Sequence, residues 1–168
     1  MKSAQEDAYL EFVAARTKPL YRSAYVLAVG DAHLAEDLVQ ETLSRVYVHW
    51  NRVSGAQNPA AYAQTVLVRT FLSLRRRRST GERPTGTMPD GAATAPDTAL
   101  RLTLLDALGQ LPPRDRAVLL LRYWEDRSIE ETAEMLRLSR SAVRSQGTRA
   151  LARVRALLGD SISDLVPH

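Results

Sequence analysis

Basic and hydrogen-bonding side chains recur along one side of the segment from Ser139 to Arg155, and no carboxylate interrupts them before Asp160. Arginine binds phosphates or guanine edges in the major groove of DNA, and glutamine pairs with adenine. A helix with this chemistry on one side is suited to that groove. We therefore predict a DNA-contacting set made of Arg140, Ser141, Arg144, Ser145, Gln146 and Arg149.

The residues before this segment predict a second, shorter helix. Ser128 and Glu131 have the spacing of a capping box, in which each side chain bonds a backbone N–H of the other residue. Ser139 then serves as the N-cap of the basic helix. The apolar spacing predicts buried faces made of Ile129, Ala133 and Leu136 on the first helix and Val143, Ala150, Leu151, Val154 and Leu158 on the second. The pattern is that of a helix-turn-helix whose second helix reads DNA.

A basic helix face also occurs on helices that bind nothing, where it is only solvated. Gly147 adds a local argument against a regular helix, since a mid-helix glycine costs about 1 kcal/mol relative to alanine. The cap, the short turn and the change of charge between the helices favour DNA binding.

Composition excludes several kinds of site. The 168 residues carry a net charge of +4 and no cysteine, which excludes disulfides and thiolate ligands. His33, His49 and His168 have no ligand spacing, so we expect no metal and no cofactor. No segment reaches the roughly 18 apolar residues of a membrane span, and the N-terminus is too polar for a signal peptide, so we expect a cytoplasmic protein without a membrane partner.

An acidic edge follows the helix predicted from Ala32 to Trp50. Asp37, Gln40, Glu41 and Ser44 are spaced i, i+3, i+4 and i+7, which places them side by side. The edge is either a solvated face or a docking surface for a basic partner. Its buried counterpart is predicted to be Leu34, Leu38, Val46, Tyr47 and Trp50.

The composition of residues 51–58 predicts a loop. Asn58 and Pro59 then predict the start of a helix that runs to about Arg78. Its inner face is predicted to be Ala63, Val66, Leu67, Phe71 and Leu74, and its other side Tyr62, Thr65, Arg69, Ser73 and Arg76. The four arginines from Arg75 to Arg78 fit a solvated helix end or a surface that binds exposed bases and phosphates.

The remaining chain is also helical by pattern. From Gln5 to Val29 one kinked helix or two helices fit, with Leu10, Val13, Leu20, Tyr21, Ala24, Tyr25 and Ala28 inside. Residues 79–98 predict a flexible linker, and Asp97 or Thr98 caps a helix carrying Leu100, Leu104, Leu105 and Leu108 that ends at Gly109. A helix after Pro112 and Pro113 is predicted to bury Ala117, Val118, Leu121 and Trp124 and to leave Leu119, Leu120 and Tyr123 as surplus apolar surface.

We therefore expect an all-α chain with two small helical domains, residues 1–78 and 99–168, joined by the linker. No phosphate loop, nucleophile elbow or HExxH motif is present. A catalytic role and a small-molecule substrate are accordingly not expected.

Three segments together carry a family resemblance: AEDLVQETLSRVYVHW, AYAQTVLVRTFLSLRRRR, and LGQLPPRDRAVLLLRYWEDRSIEETAEMLRLSRSAVRSQGTRALARVR. The chain resembles the extracytoplasmic-function sigma factors of the sigma-70 family, in particular the SigE-like actinobacterial group. The resemblance implies that the first domain is sigma region 2 and the second is region 4. It also implies core RNA polymerase and promoter DNA as partners, with an anti-sigma factor as a possible third.

The resemblance also implies roles for individual residues. Asp37, Gln40 and Glu41 match the motif that docks on the β′ coiled coil of core polymerase. The minus-10 set matches the residues that capture flipped bases and help melt the duplex, and comprises Arg52, Asn58, Tyr62, Thr65, Arg69, Arg75 and Arg76. Tyr62 stands where many relatives carry tryptophan and preserves a stacking ring. The segment from Pro112 to Trp124 matches the part that packs on the β flap, and the basic helix matches the reader of the minus-35 element.

Two other classes of function are compatible with parts of the pattern. A free-standing helix-turn-helix regulator accounts for the basic helix but has no need of the acidic edge or of the arginine-ended helix. A nucleic-acid-processing enzyme requires metal ligands or a nucleophile and a base, which the sequence does not offer.

Overall fold

The structure is a computed structural model that describes residues 2–79 and 96–159. Every regular element within these two ranges is a helix, which confirms the all-α prediction. The described residues fall into two compact units, one formed by residues 2–28 and 32–79 and one that contains residues 96–159.

The first unit has four helices: α1 (Lys2–Leu27), α2 (Ala32–Val48), α3 (Trp50–Ser54) and α4 (Pro59–Ser79). Of the two alternatives for the N-terminal segment, the single helix is the one observed, with Pro19 inside α1. Helix α2 packs against both α1 and α4. The core between them is made of Leu20, Ala24, Leu27, Leu34, Leu38, Val46, Ala63, Leu67 and Phe71, all of which are buried.

The sequence predictions for the first unit are wrong for Leu10, for Tyr47 and for residues 51–54. Leu10 and Tyr47, both predicted to be buried, are 60% and 53% exposed, whereas their neighbours Tyr9 and Val46 are partly buried and fully buried. Five further residues predicted to face inward are partly buried: Val13, Tyr21, Tyr25, Val66 and Leu74. Residues 51–54 are helical instead of a loop.

Helix α3 explains the last error. Trp50 and Val53 are 9% and 1% exposed, so the segment is held by burial of side chains three residues apart. Composition alone does not reveal this, because asparagine, serine and glycine dominate the rest of the segment.

The second unit comprises α5 (Pro96–Gly109), α6 (Pro113–Leu119), a π-helical turn (Leu120–Trp124), α7 (Ile129–Leu136) and α8 (Arg140–Leu158). Helix α5 ends at Gly109 as predicted but begins at Pro96, so Asp97 and Thr98 lie inside it. The predicted linker lies outside the described residues except at its ends, where Ser79 belongs to α4 and residues 96–98 belong to α5.

The π-helical turn changes which residues of the second unit are buried. The Glu125 N–H bonds the Leu120 carbonyl at 2.9 Å, an i to i+5 bond that widens the turn. Leu119 and Leu120 are buried instead of forming surplus surface. Trp124, predicted to be buried, is 57% exposed beside Tyr123 at 53%. The wider turn breaks the helical period on which the prediction rested.

Helix α8 is the centre of the second unit and packs on α5, α6 and α7. Of the predicted core, Ala133, Leu136, Ala117, Val118, Leu121, Leu105 and Leu108 are buried, as are Val143, Ala150, Val154 and Leu158 of α8. Ile129, Leu151 and Leu100 are partly buried, and Leu104 is 36% exposed.

Candidate nucleic-acid and partner interfaces

The capping box at the start of α7 forms as predicted. The Glu131 N–H donates to the Ser128 hydroxyl and the Ser128 N–H donates to the Glu131 carboxylate, each at 3.0 Å. The bonds from the Ser128 backbone and side chain lower the pKa of Glu131, because they favour its charged form. Arg127 adds to this effect from 3.3 Å.

The turn between α7 and α8 is short because Arg137 adopts a left-handed conformation, with a φ of 56°. The Leu138 N–H then bonds the Ala133 carbonyl at 2.9 Å, which is the pattern of a Schellman motif. Two residues later the Ser139 hydroxyl accepts a bond from the Ala142 N–H at 3.0 Å and caps α8 as predicted. These contacts fix where the basic helix begins.

Five of the six predicted DNA-contacting side chains are exposed on α8: Arg140, Ser141, Arg144, Ser145 and Arg149. Gln146 is different. It is partly buried, and its Oε1 atom is buried without a hydrogen bond. The prediction that Gln146 points outward is therefore wrong for its carbonyl oxygen.

Local bonds already orient part of this face. The Ser145 hydroxyl donates to the Ser141 carbonyl at 2.9 Å, which leaves its oxygen as an acceptor. Arg149 donates its Nε–H to the Ser145 carbonyl at 3.3 Å. Arg140 lies 3.7 Å from Glu130, an exposed pair of the kind that contributes little to stability.

Gly147 lies on the opposite, buried side of α8. A Cβ atom at this position would lie 3.6 Å from a methyl group of Val118, which is ordinary van der Waals contact. The glycine therefore faces α6, on the buried side of α8.

The docking edge of α2, defined as Asp37, Gln40, Glu41 and Ser44, is on its solvent side. Asp37, Gln40 and Ser44 are exposed, and Glu41 is partly exposed. Glu41 accepts a bond from Arg45 at 2.8 Å, an i, i+4 pair that turns one carboxylate toward its own helix. Spacing along the helix brings the four side chains within contact range of one partner.

Val48 extends the docking edge by one further turn. It lies four residues beyond Ser44 and is 74% exposed. Sequence reasoning missed it, although the i+4 spacing from Ser44 was the available signal.

The predicted minus-10 residues occupy α3, the start of α4 and one side of α4. Asn58 caps α4 through a bond from the Ala61 N–H to its Oδ1 atom at 3.0 Å. Tyr62, Thr65 and Arg69 lie on one side of α4 and are partly buried. The Thr65 hydroxyl bonds the Ala61 carbonyl at 2.9 Å, so it is partly satisfied within the helix.

The charged members of the set lie at two ends of this surface. Arg52 is exposed on α3, and Arg76 is exposed near the end of α4 on the same side as Tyr62 and Arg69. Arg75 is partly buried and lies one position away from that side.

An aromatic corner, defined as Tyr123 and Trp124, protrudes from the π-helical turn. Arg122 lies over the Tyr123 ring at 5.9 Å and donates to the Arg127 carbonyl at 2.6 Å. The arginine thereby links the corner to the segment that leads into α7. Exposed tryptophan and tyrosine side by side are typical of contact surfaces.

The described parts of the chain offer no group of three or more His, Cys, Asp or Glu side chains placed to hold a metal ion. None of the helices in those parts is long and apolar enough to cross a membrane.

Two consecutive parts of the chain match known protein families. The family model of Sigma-70 region 2 matches residues 12–80, and that of Sigma-70 region 4 matches residues 101–154. An RNA polymerase sigma-E factor from Streptomyces avermitilis is 39% identical over 147 residues, which are 86% of this chain and 82% of that protein. The chain belongs to the sigma-70 family of RNA polymerase sigma factors.

Further relatives place the sigma factor within its family. The ECF RNA polymerase sigma factor SigL from Mycobacterium tuberculosis is 32% identical over 149 residues, covering 83% of this chain and 82% of that protein. The extracytoplasmic-function group inferred from the sequence is confirmed. This sigma factor therefore directs transcription initiation, and a free-standing helix-turn-helix regulator is not favoured.

The fold of the sigma factor also resembles a solved structure. The sigma factor RpoE in complex with the anti-sigma factor NepR, from Bartonella quintana, has a TM-score of 0.71 and 24% sequence identity, and the match covers 90% of this chain and 96% of that one. This similarity concerns the fold.

Proposed function

We propose that the sigma factor binds core RNA polymerase through the docking edge of α2, opens the minus-10 element on α4 and reads the minus-35 element with α8. The observation that carries the proposal is the exposed docking edge. A regulator that binds DNA alone has no use for an acidic surface on its other domain, whereas a polymerase subunit needs one.

The docking edge suits a basic partner. Asp37 and Glu41 supply two carboxylates one turn apart, and Gln40 and Ser44 add hydrogen-bonding groups between and beyond them. A helix that presents arginine or lysine at matching intervals can bind all four side chains of the docking edge. The family resemblance implies that this partner is the β′ coiled coil. Val48 adds an apolar contact at one end.

The minus-10 surface suits single-stranded DNA. Tyr62 offers a ring for a base to stack on, and Arg52 and Arg76 offer charges for the backbone at two ends of the surface. Unstacking a base costs a few kcal/mol, and stacking on an aromatic ring returns about 1–3 kcal/mol per base. Arg69, Thr65 and Asn58 supply the polar groups that surround the base.

Helix α8 suits the major groove of the minus-35 element. Its exposed arginines contact phosphates or guanine edges, and its groove-facing row is formed by Ser141, Ser145 and Arg149 at intervals of four residues. Helix α8 contains no carboxylate to repel the DNA backbone.

The aromatic corner of the second unit suits an apolar partner, and the β flap of core polymerase is the one that the resemblance implies. By the same resemblance, an anti-sigma factor regulates access to these surfaces. We place the protein in the cytoplasm, where polymerase and chromosome are, and we assign it no catalytic activity of its own.

Run-off transcription with purified core polymerase tests the proposal. We expect promoter-dependent transcripts from genomic fragments only when the sigma factor is added. The double variant Asp37→Lys, Glu41→Lys is expected to lose at least about tenfold in affinity for core polymerase, since like charges replace complementary ones.

Glu11→Lys is the matched control, because Glu11 is exposed on α1 outside the proposed surfaces. It is expected to bind core polymerase like the wild type. If no promoter-dependent transcript is found, the proposed function is wrong. If the double variant and the control lose the same affinity for core polymerase, the docking edge is not the binding surface. Tight binding of the free protein to a palindromic duplex instead supports the regulator.

A further inference from the structure

An aromatic clasp, defined as Tyr9, Phe12, Tyr47 and Trp50, connects three helices of the first unit. The Tyr9 ring lies edge-on to Tyr47 at 5.0 Å and to Trp50 at 5.5 Å. Phe12, one turn further along α1, lies 5.3 Å from Trp50. The two edge-to-face contacts of Tyr9 are favourable beyond the area that they bury.

Tyr9 is the residue on which the clasp converges. Besides its two ring contacts, its hydroxyl donates a hydrogen bond to the Leu43 carbonyl on α2 at 2.8 Å. Burial, and to a lesser degree the neighbouring Tyr47, raise the pKa of Tyr9, so the hydroxyl keeps its proton for this bond. Tyr9 therefore contacts α2 twice and the first residue of α3 once.

Helix α3 depends on these contacts because it is too weak to hold its own position. It has five residues, and His49 at its N-cap makes no side-chain hydrogen bond. Isolated helices shorter than about 12 residues are marginal in water. What holds α3 is the burial of Trp50 and Val53, and two of the rings on Trp50 come from α1.

The segment after α3 has little support of its own. Residues 54–58 are all exposed, and the backbone bond from the Ala56 N–H to the Val53 carbonyl, at 3.0 Å, ties the turn back to α3. The orientation of α3 thus sets the direction in which the chain enters α4 at Asn58.

We propose that the aromatic clasp is a positioning element for minus-10 DNA: it fixes α3 and residues 54–58, and so holds Arg52 and Asn58 in place for the opened strand. The inference rests on the proposed function. Tyr9 precedes the part of the chain that matches Sigma-70 region 2, which begins at residue 12, so the positioning extends beyond the matched region.

The first test measures the clasp without polymerase, by hydrogen exchange of the full chain. Tyr9→Leu removes the ring contacts and the hydroxyl, and we expect the amides of Arg52, Val53 and Ala56 to exchange about tenfold faster. Tyr21→Leu is the matched control, because Tyr21 is also on α1 and pairs with Tyr25 at 6.1 Å, away from the clasp. It is expected to leave those three amides unchanged.

The second test measures function in the complete complex. With core polymerase and a promoter, we expect Tyr9→Leu to lower the open fraction of the minus-10 element, read by permanganate reactivity, by about fivefold to tenfold. Affinity for core polymerase is expected to stay within about twofold of the wild type, since the docking edge is untouched. Tyr9→Phe keeps the rings and is expected to restore most of the opening.

The outcomes separate the two proposals. Unchanged exchange at the three amides, or an equal rise throughout the first unit, overturns the clasp as a positioning element. Faster exchange with unchanged opening overturns its link to DNA. If the wild type opens no promoter with core polymerase, the proposed function fails, and the exchange measurement still decides whether the clasp holds α3.

Discussion

Ser128 and Glu131 exchange two hydrogen bonds of equal length at the start of α7, each 3.0 Å from donor to acceptor. One of the two requires the Glu131 carboxylate, whose pKa lies below the ordinary value of 4.5. The stability that the charged group contributes is therefore complete above about pH 4.5 and is lost as the pH falls through its lowered pKa.

This relationship predicts an acid-sensitive second unit. Thermal unfolding followed by circular dichroism from pH 7 to pH 3 is expected to show a larger decrease of Tm for the wild type than for Glu131→Gln. Glutamine keeps a neutral acceptor for the Ser128 N–H but has no proton to gain. Parallel curves for the two proteins contradict the assignment.

Replacing Arg137 by glycine is expected to stabilise the helix-turn-helix. Arg137 adopts a φ of 56°, where a Cβ atom costs roughly 1–2 kcal/mol and glycine avoids that cost. After the greater entropy loss of glycine, we expect a gain of about 0.5–1 kcal/mol in the free energy of unfolding, measured in urea. Arg137→Ala keeps the Cβ atom and is the control, for which no gain is expected.

Replacing either of two buried threonines by valine is expected to stabilise the protein. The hydroxyls of Thr70 and Thr132 are buried without a hydrogen bond. Valine has nearly the same shape and no polar atom, so each change is expected to raise the free energy of unfolding by about 1 kcal/mol.

Thr42 provides the control for these changes. It is also buried, but its hydroxyl donates to the Leu38 carbonyl at 2.7 Å. Thr42→Val is expected to gain nothing in denaturant unfolding. A gain of the same size at all three positions would mean that hydrophobicity, and not the missing bond, is responsible.

Arg149 and Gln146 are expected to differ in how they affect minus-35 binding. Arg149 is exposed, so Arg149→Ala is expected to weaken polymerase binding to a minus-35 duplex and, if the side chain binds phosphate, to reduce the salt slope by about one. Gln146 has a buried Oε1 atom, so Gln146→Leu is expected to leave base preference within about twofold of the wild type.

Fluorescence anisotropy of labelled duplexes at several salt concentrations checks both changes. A tenfold or greater change of preference at one base pair in Gln146→Leu would show that the glutamine turns outward to read DNA. An unaltered salt slope in Arg149→Ala would mean that the Arg149 side chain contacts a base, or does not contact the DNA, and does not bind a phosphate.

Local signals in the sequence were sufficient where a few neighbouring residues determine the structure. Ser128, Ser139 and Asn58 each cap the helix that they were predicted to cap, because a cap needs only a hydroxyl or amide two or three residues before its donor. The docking edge was predictable for the same reason, since regular spacing on α2 places its members together.

Local sequence patterns failed where residues distant along the chain determine the structure. Asn51 to Ser54 look like a loop, but Trp50 is covered by rings from α1, some 40 residues earlier in the chain. The helical pattern of α8 likewise did not indicate that the Oε1 atom of Gln146 is buried. The proposed roles of the site residues stay predictions for the experiments above.

The π-helical turn gives the aromatic corner an unusual dependence on chain length. Such a turn is in effect one residue added to an α-helix, and removing a residue between Leu120 and Trp124 would allow ordinary i to i+4 bonds to form. Tyr123 and Trp124 would then lie one position closer to Leu120 along the helix and at different angles around its axis, although neither had been mutated. The surface is thus encoded by the number of residues in the turn as much as by their identity, and a deletion is the change to which it is most vulnerable.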